Sequence, residues 1–114
     1  MGHQLFDQYS LLHFSVGVIT YFWNIPFLYG FTIHFLFEIL ENTKHGIEFI
    51  NTYIIEPGYF GWPGGKHKAD TILNIIGDNI FYAFGYFIAY ILDYLGRINK
   101  WYYTFGNLKR PLNL

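Results

Sequence analysis

Two polar stripes on otherwise apolar helices constrain this chain more than any other feature of it. The first lies in H-F-L-F-E-I-L-E-N-T-K-H (34–45), the second in K-H-K-A-D-T-I-L-N-I-I-G-D-N (66–79). On a helix that turns about 100° per residue, His34, Glu38, Glu41, His45 and Glu48 fall within an arc of roughly 80°. Asp70, Asn74, Gly77 and Asp78 share one face of a second helix in the same way. An ionised carboxylate in apolar surroundings costs several kcal/mol or more, so it must pair, hydrogen-bond or take up a proton. The two stripes must therefore meet each other or line a pocket.

The rest of the 114 residues is greasy. Apolar residues make up 53% of the chain and aromatic ones 24%, while 13% is charged, about half the share usual in soluble domains. Thirteen Phe and eleven Tyr exceed what a single soluble domain of this length would hide. A formal net charge of −1 and the lack of a basic patch point away from nucleic acid as a partner. Without cysteine, disulfides and thiolate metal sites are excluded.

These runs predict an all-α integral membrane bundle forming one domain over 1–114. It has three transmembrane helices, at about 7–24, 27–45 and 69–95, and one short interfacial helix at 47–55. Asn24-Ile25-Pro26 separates the first two spans, and Gly46 is expected to end the second. Four glycines and two prolines between Pro57 and Lys68 predict an irregular loop over 57–68. A tail at 97–114 opens with Arg97, Lys100, Trp101, Tyr102 and Tyr103, an anchor suited to a membrane edge. Three spans put the termini on opposite sides, and four cations against three tilt the C-terminus towards the cytoplasm. Gly77 and Gly85 would admit another helix closely. Asp93 is expected to pair with Arg97, four residues on.

The candidate polar pocket comprises His13, His34, Glu38, Glu41, Asn42, His45, Asp70, Asn74 and Asp78. His13 belongs to a third, weaker stripe with Ser10, Gly17, Thr20 and Asn24. Asn74 is the natural bridge, because its amide both donates and accepts. Three chemistries fit the pocket. Polar residues can be glue between helices. They can carry a proton or ion. Or Glu38, Glu41, Asp70 and Asp78 can act as acids and bases, with His34, Glu38, Glu41 and Asp70 compatible with a divalent metal. Lys66 and Lys68 in the loop are placed to meet a headgroup phosphate. The partners implied are the lipid bilayer and either a second copy of the chain or another membrane protein.

S-L-L-H-F (10–14), E-x-x-E-N from Glu38, and D-T-x-x-N-x-x-G-D from Asp70 to Asp78 resemble the VanZ-like membrane family and related small membrane proteins of bacteria and large DNA viruses. The resemblance covers roughly residues 10–92. It implies a multi-pass helical fold with Glu38, Glu41, Asn42, Asp70, Asn74, Gly77 and Asp78 at the motif positions. This chain has Glu41 where the family usually has Gln, and Lys66 or Lys68 where the family usually has Arg. Two functions follow as expectations. One is a small multi-pass protein with a structural or lipid-interacting role. The other is a membrane-embedded hydrolase or transferase acting on a lipid or isoprenoid headgroup.

Overall fold

A computed structural model describes residues 2–62 and 65–101. The tail expected beyond Trp101 and the Pro63-Gly64 pair of the loop lie outside the described residues. All regular structure within them is helical: α1 (Ser10–Phe22), α2 (Phe27–Glu41), α3 (Lys44–Ile50) and α4 (Ile72–Ile98). A π-helical turn (Asn51–Ile55) prolongs α3, and a 3-10 turn (Tyr59–Gly61) sits in the loop. One helix among them, α4, is long and apolar enough to cross a membrane. Its 27 residues make a rod of about 40 Å, whereas α1 and α2 reach only about 20 Å each.

The helix boundaries have local causes. α1 ends where Asn24 takes a left-handed conformation (φ 61°), which asparagine tolerates, and Pro26 caps α2 directly after it. α2 stops at Glu41, not near His45. The Asn42 side chain donates to the Glu38 carbonyl (2.8 Å), while the Thr43 hydroxyl donates to the Leu40 carbonyl (2.7 Å) and accepts from Gly46 N (3.0 Å). Thr43 thereby caps a new helix. Gly46 lies inside that helix, α3, and its role is closeness: a Cβ there would strike the Leu40 carbonyl. α4 begins at Thr71, whose hydroxyl accepts from Asn74 N (3.2 Å).

Small residues set the packing of α1 on α4. A Cβ on Gly17 would strike the Tyr82 carbonyl, and one on Gly85 the Phe14 carbonyl, so the two backbones touch reciprocally. Gly77 lies in the same way beneath the Leu5 carbonyl of the N-terminal segment. At the far end the Tyr21 hydroxyl donates to Asp93 (2.5 Å), which also pairs with Arg97 (3.1 Å). Tyr86 donates to the Ile25 carbonyl (2.7 Å) and fixes the α1–α2 turn. α1 and α2 both pack on α4 but touch each other little, which leaves a cleft between them.

The burial pattern is inverted relative to a water-soluble bundle. Ser10, His34, Glu38, Asn74, Asp78, Asn79 and Asp93 are buried, and the buried apolar residues are Tyr21, Tyr82, Tyr86 and Ala89. Outside, Ile72 (77%), Trp23 (72%), Leu28 (70%) and Leu40 (63%) are among many large apolar side chains left exposed. A core helix of a soluble protein would bury such residues; α4 turns Ile76, Ile80, Phe84 and Ile91 outwards and its glycines and polar groups inwards.

Candidate functional site

The first polar cluster is a lock built around Lys66. Its ammonium donates to Glu41 Oε1 (2.6 Å), to Asn42 Oδ1 (3.2 Å) and to Asp70 Oδ2, engaging all three donors. Asn42 Oδ1 also accepts from Asp70 N (2.8 Å), so the end of α2 and the residues before α4 are tied together through one amide. Asn51 clamps the Lys66 backbone from behind, donating to its carbonyl (2.7 Å) and accepting from its N–H (3.3 Å). Burial works against the Lys66 charge, but its hydrogen bonds to Asp70 and Glu41 outweigh that and hold its pKa above the usual lysine value.

The N-terminal segment is laced to the same end. Thr71 N donates to the Gly2 carbonyl (2.7 Å), and Asn74 donates to the Gln4 carbonyl (2.7 Å) and to Asp7 (3.4 Å). Asp7 in turn accepts from Gly2 N (3.0 Å) and Tyr9 N (2.8 Å). Asn74 therefore secures this segment and does not bridge the stripes.

The second cluster lies deeper, between α1, α2 and α4. Glu38 is fully buried, and neither carboxylate oxygen has a hydrogen-bond partner. His13 Nδ1 lies 3.0 Å from Glu38 Oε1 and 2.9 Å from His34 Nε2. That approach to Glu38 is close without the geometry of a donated N–H. The outer nitrogens of both rings have their own partners. His34 Nδ1 sits 3.0 Å from Asn79 Oδ1, and His13 Nε2 sits 3.3 Å from Asp78 Oδ2. Asn79 donates its amide to the Ile75 carbonyl (2.8 Å), which turns its oxygen to His34. Asp78 is steadied by Ser10, which donates to Oδ1 (2.8 Å). Tyr82 stacks on His34 with ring centroids 4.4 Å apart, and shares a hydrogen bond with Thr20 (2.8 Å).

Both clusters border the cleft between α1 and α2, a cavity of about 590 Å³. Asp7, His13, His34, Glu41, Lys66, Asp70, Asn74 and Asp78 are among its polar lining residues. Leu12, Val16, Ile19, Ile25, Ile33 and Phe37 are among its apolar ones.

Of the residues singled out in the sequence, His13, His34, Glu38 and Asp78 come together in the deep cluster. Glu41, Asn42, Lys66 and Asp70 form the lock. Of the four metal candidates, His34 and Glu38 sit in the deep cluster, while Glu41 and Asp70 are engaged by Lys66 and are separate from them. His13 stands where those two were expected. His45 is exposed on α3, because α2 ends before reaching it. Lys68 is exposed as well. Asp7, Asn51 and Asn79 were not anticipated. Asn79 follows Asp78 directly but lies about 100° around the helix, off the face that the stripe defined. In comparisons with protein families, curated proteins and solved structures, nothing matches the chain.

Proposed function

We propose that this chain is a multi-pass membrane protein, with α1, α2 and α4 as its spans, and that the cleft between α1 and α2 holds one lipid-like amphiphile. The resemblance to the VanZ-like membrane family belongs to the same proposal. The observation that carries it is the two-part wall of the cleft. Imidazoles and carboxylates line part of it, apolar side chains line much of the remainder, and the outer surface of all three helices is apolar. A headgroup would lie against the polar side chains and a chain along Leu12, Val16, Ile33 and Phe37, the mixed lining expected of a site for such a ligand. Spans as short as α1 and α2 are accommodated by local thinning of the bilayer and by flanking aromatic anchors such as Trp23. Because Lys66 already has three acceptors, headgroup contact falls to the groups around His13 and Asp78.

A second reading, an enzyme working on that headgroup, is favoured by one specific feature: Glu38, buried beside the cleft with two unpartnered oxygens.

Photolabelling of the full chain in lipid vesicles with a diazirine-bearing fatty acid tests the cleft. Labels should concentrate at Leu12, Val16, Ile33 and Phe37, and Val16→Trp should remove most of this labelling. Equal labelling of the outward residues Leu28 and Ile72, unaffected by Val16→Trp, would contradict the proposal.

A further inference from the structure

We infer that His13 Nδ1, His34 Nε2 and Glu38 Oε1 form a binding site for a divalent transition ion of the zinc class, with its fourth position facing the cleft. The inference stands independently of the lipid reading.

Asn79 is fixed with its oxygen towards His34 Nδ1, so Nδ1 carries the hydrogen and Nε2 presents a lone pair. A carboxylate at 3.3 Å favours the hydrogen of His13 on Nε2, which leaves a lone pair on Nδ1. These two lone pairs face each other across 2.9 Å, with Glu38 Oε1 3.0 Å from one and 3.9 Å from the other. Three acceptors thus converge at the wall of the cleft. Such an arrangement is unfavourable unless a proton or a metal cation lies between them.

The dimensions select the cation. A tetrahedral zinc ion with bonds of about 2.0–2.1 Å separates its donors by about 3.3–3.4 Å. The three edges here, 2.9, 3.0 and 3.9 Å, average about 3.3 Å. Imidazole nitrogen and carboxylate oxygen suit zinc and its neighbours. The outer partners follow the pattern that orients metal-bound histidines: Asp78 behind His13 and Asn79 behind His34, with Ser10 behind Asp78. Both imidazoles also line the cleft, and three protein ligands with an open fourth position is the form of a catalytic rather than a structural zinc site.

The test uses the full chain, purified in detergent on a tag without histidine, stripped with chelator and dialysed against zinc chloride. One zinc per chain is expected. His13→Gln and Glu38→Gln should abolish retention while keeping the parent's helix content by circular dichroism. Asp78→Asn, which leaves the three ligands in place, should weaken binding about 10- to 100-fold. His45→Gln and His67→Gln, in exposed positions, should retain zinc fully. Cobalt substitution of the unmodified chain decides the matter even where a variant fails to fold. Intense visible bands of tetrahedral cobalt support the site; the weak spectrum of octahedral cobalt overturns it. A parent chain that keeps no zinc, as a centre taking up only a proton would, or a Glu38→Gln variant that keeps as much as the parent, also overturns it.

Discussion

Glu38 and Glu41 lie one helical turn apart, in the same stripe and on the same helix, yet they belong to two opposite kinds of site. Glu41 sits in a lock in which every charge has a partner: one ammonium meets two carboxylates and an amide, and Asn51 fixes the backbone that carries it. Glu38 sits in a centre made of acceptors, with its own oxygens unpartnered and two imidazole lone pairs beside it. The difference is where the donor comes from. The lock brings its own cation from the loop between the stripes. The centre draws its three inward-facing atoms from α1 and α2 alone, and both helices supply acceptors there. Buried polar groups of like composition thus act as structure where they satisfy one another and as a receptive site where they do not.

Removing the cation of the lock should have the largest effect. Lys66→Met leaves Glu41 and Asp70 facing each other without a donor and should cost about 3 kcal/mol, the low end of the penalty for breaking a buried pair by deleting one partner, because the lock is only partly buried. Thermal unfolding in detergent reads this directly, and a loss near zero would mean that the lock is a surface ion pair. Asn51→Ala keeps all the charges and removes only the clamp on the Lys66 backbone. A loss of about 1–3 kcal/mol is expected, since the peptide groups it satisfied are partly buried; hydrogen exchange should quicken at Lys66 first.

Alkaline pH should give a smaller loss. The pKa of Lys66 is raised in the folded chain. Its contribution is therefore fully present below the unfolded lysine value, near 10.4, and is lost as pH rises through the folded value. The neutral amine retains hydrogen-bond donors, so the loss should stop short of that in Lys66→Met, and the Lys66→Met variant should not show this alkaline phase at all. The smallest effects belong to the residues that neither cluster includes. Lys68→Ala and His45→Ala, both exposed, should change stability by no more than about 0.5 kcal/mol.

How far these two sites can be read from the sequence depends on which contacts are local. Helical spacing brings His34 and Glu38 onto one face, and Asp70, Asn74 and Asp78 onto another, because 100° per residue is a property of the chain alone. It does not tell which carboxylate turns to the loop and which to the third helix. Three residues place Glu38 and Glu41 about 60° apart, enough for α1 to reach one and Lys66 the other. His13 shows the same limit. Its stripe with Ser10 is visible, but its meeting with His34 depends on Gly17 and Gly85 letting α1 settle against α4. The end of α2 was hidden because the polar periodicity runs on to His45 and Glu48, whereas the boundary is set by two side chains, Asn42 and Thr43, folding onto nearby carbonyls. Asn51 and Asp7 act on backbone groups of irregular segments, where no period exists to reveal them.

One site is complete, and the other lacks a donor. Glu41→Gln and Glu38→Gln make the same chemical change in each, and their unfolding temperatures, measured side by side on chelator-treated protein in one detergent, test this most directly. Glu41→Gln removes a charge that Lys66 needs and should melt below the parent. Glu38→Gln replaces a buried carboxyl that has no hydrogen-bond partner and supplies an amide N–H to the two imidazole lone pairs, so it should melt at or above the parent. Two shifts of the same sign and similar size would show that the carboxylates are equivalent, and would contradict the division of the polar core into a lock and an open site.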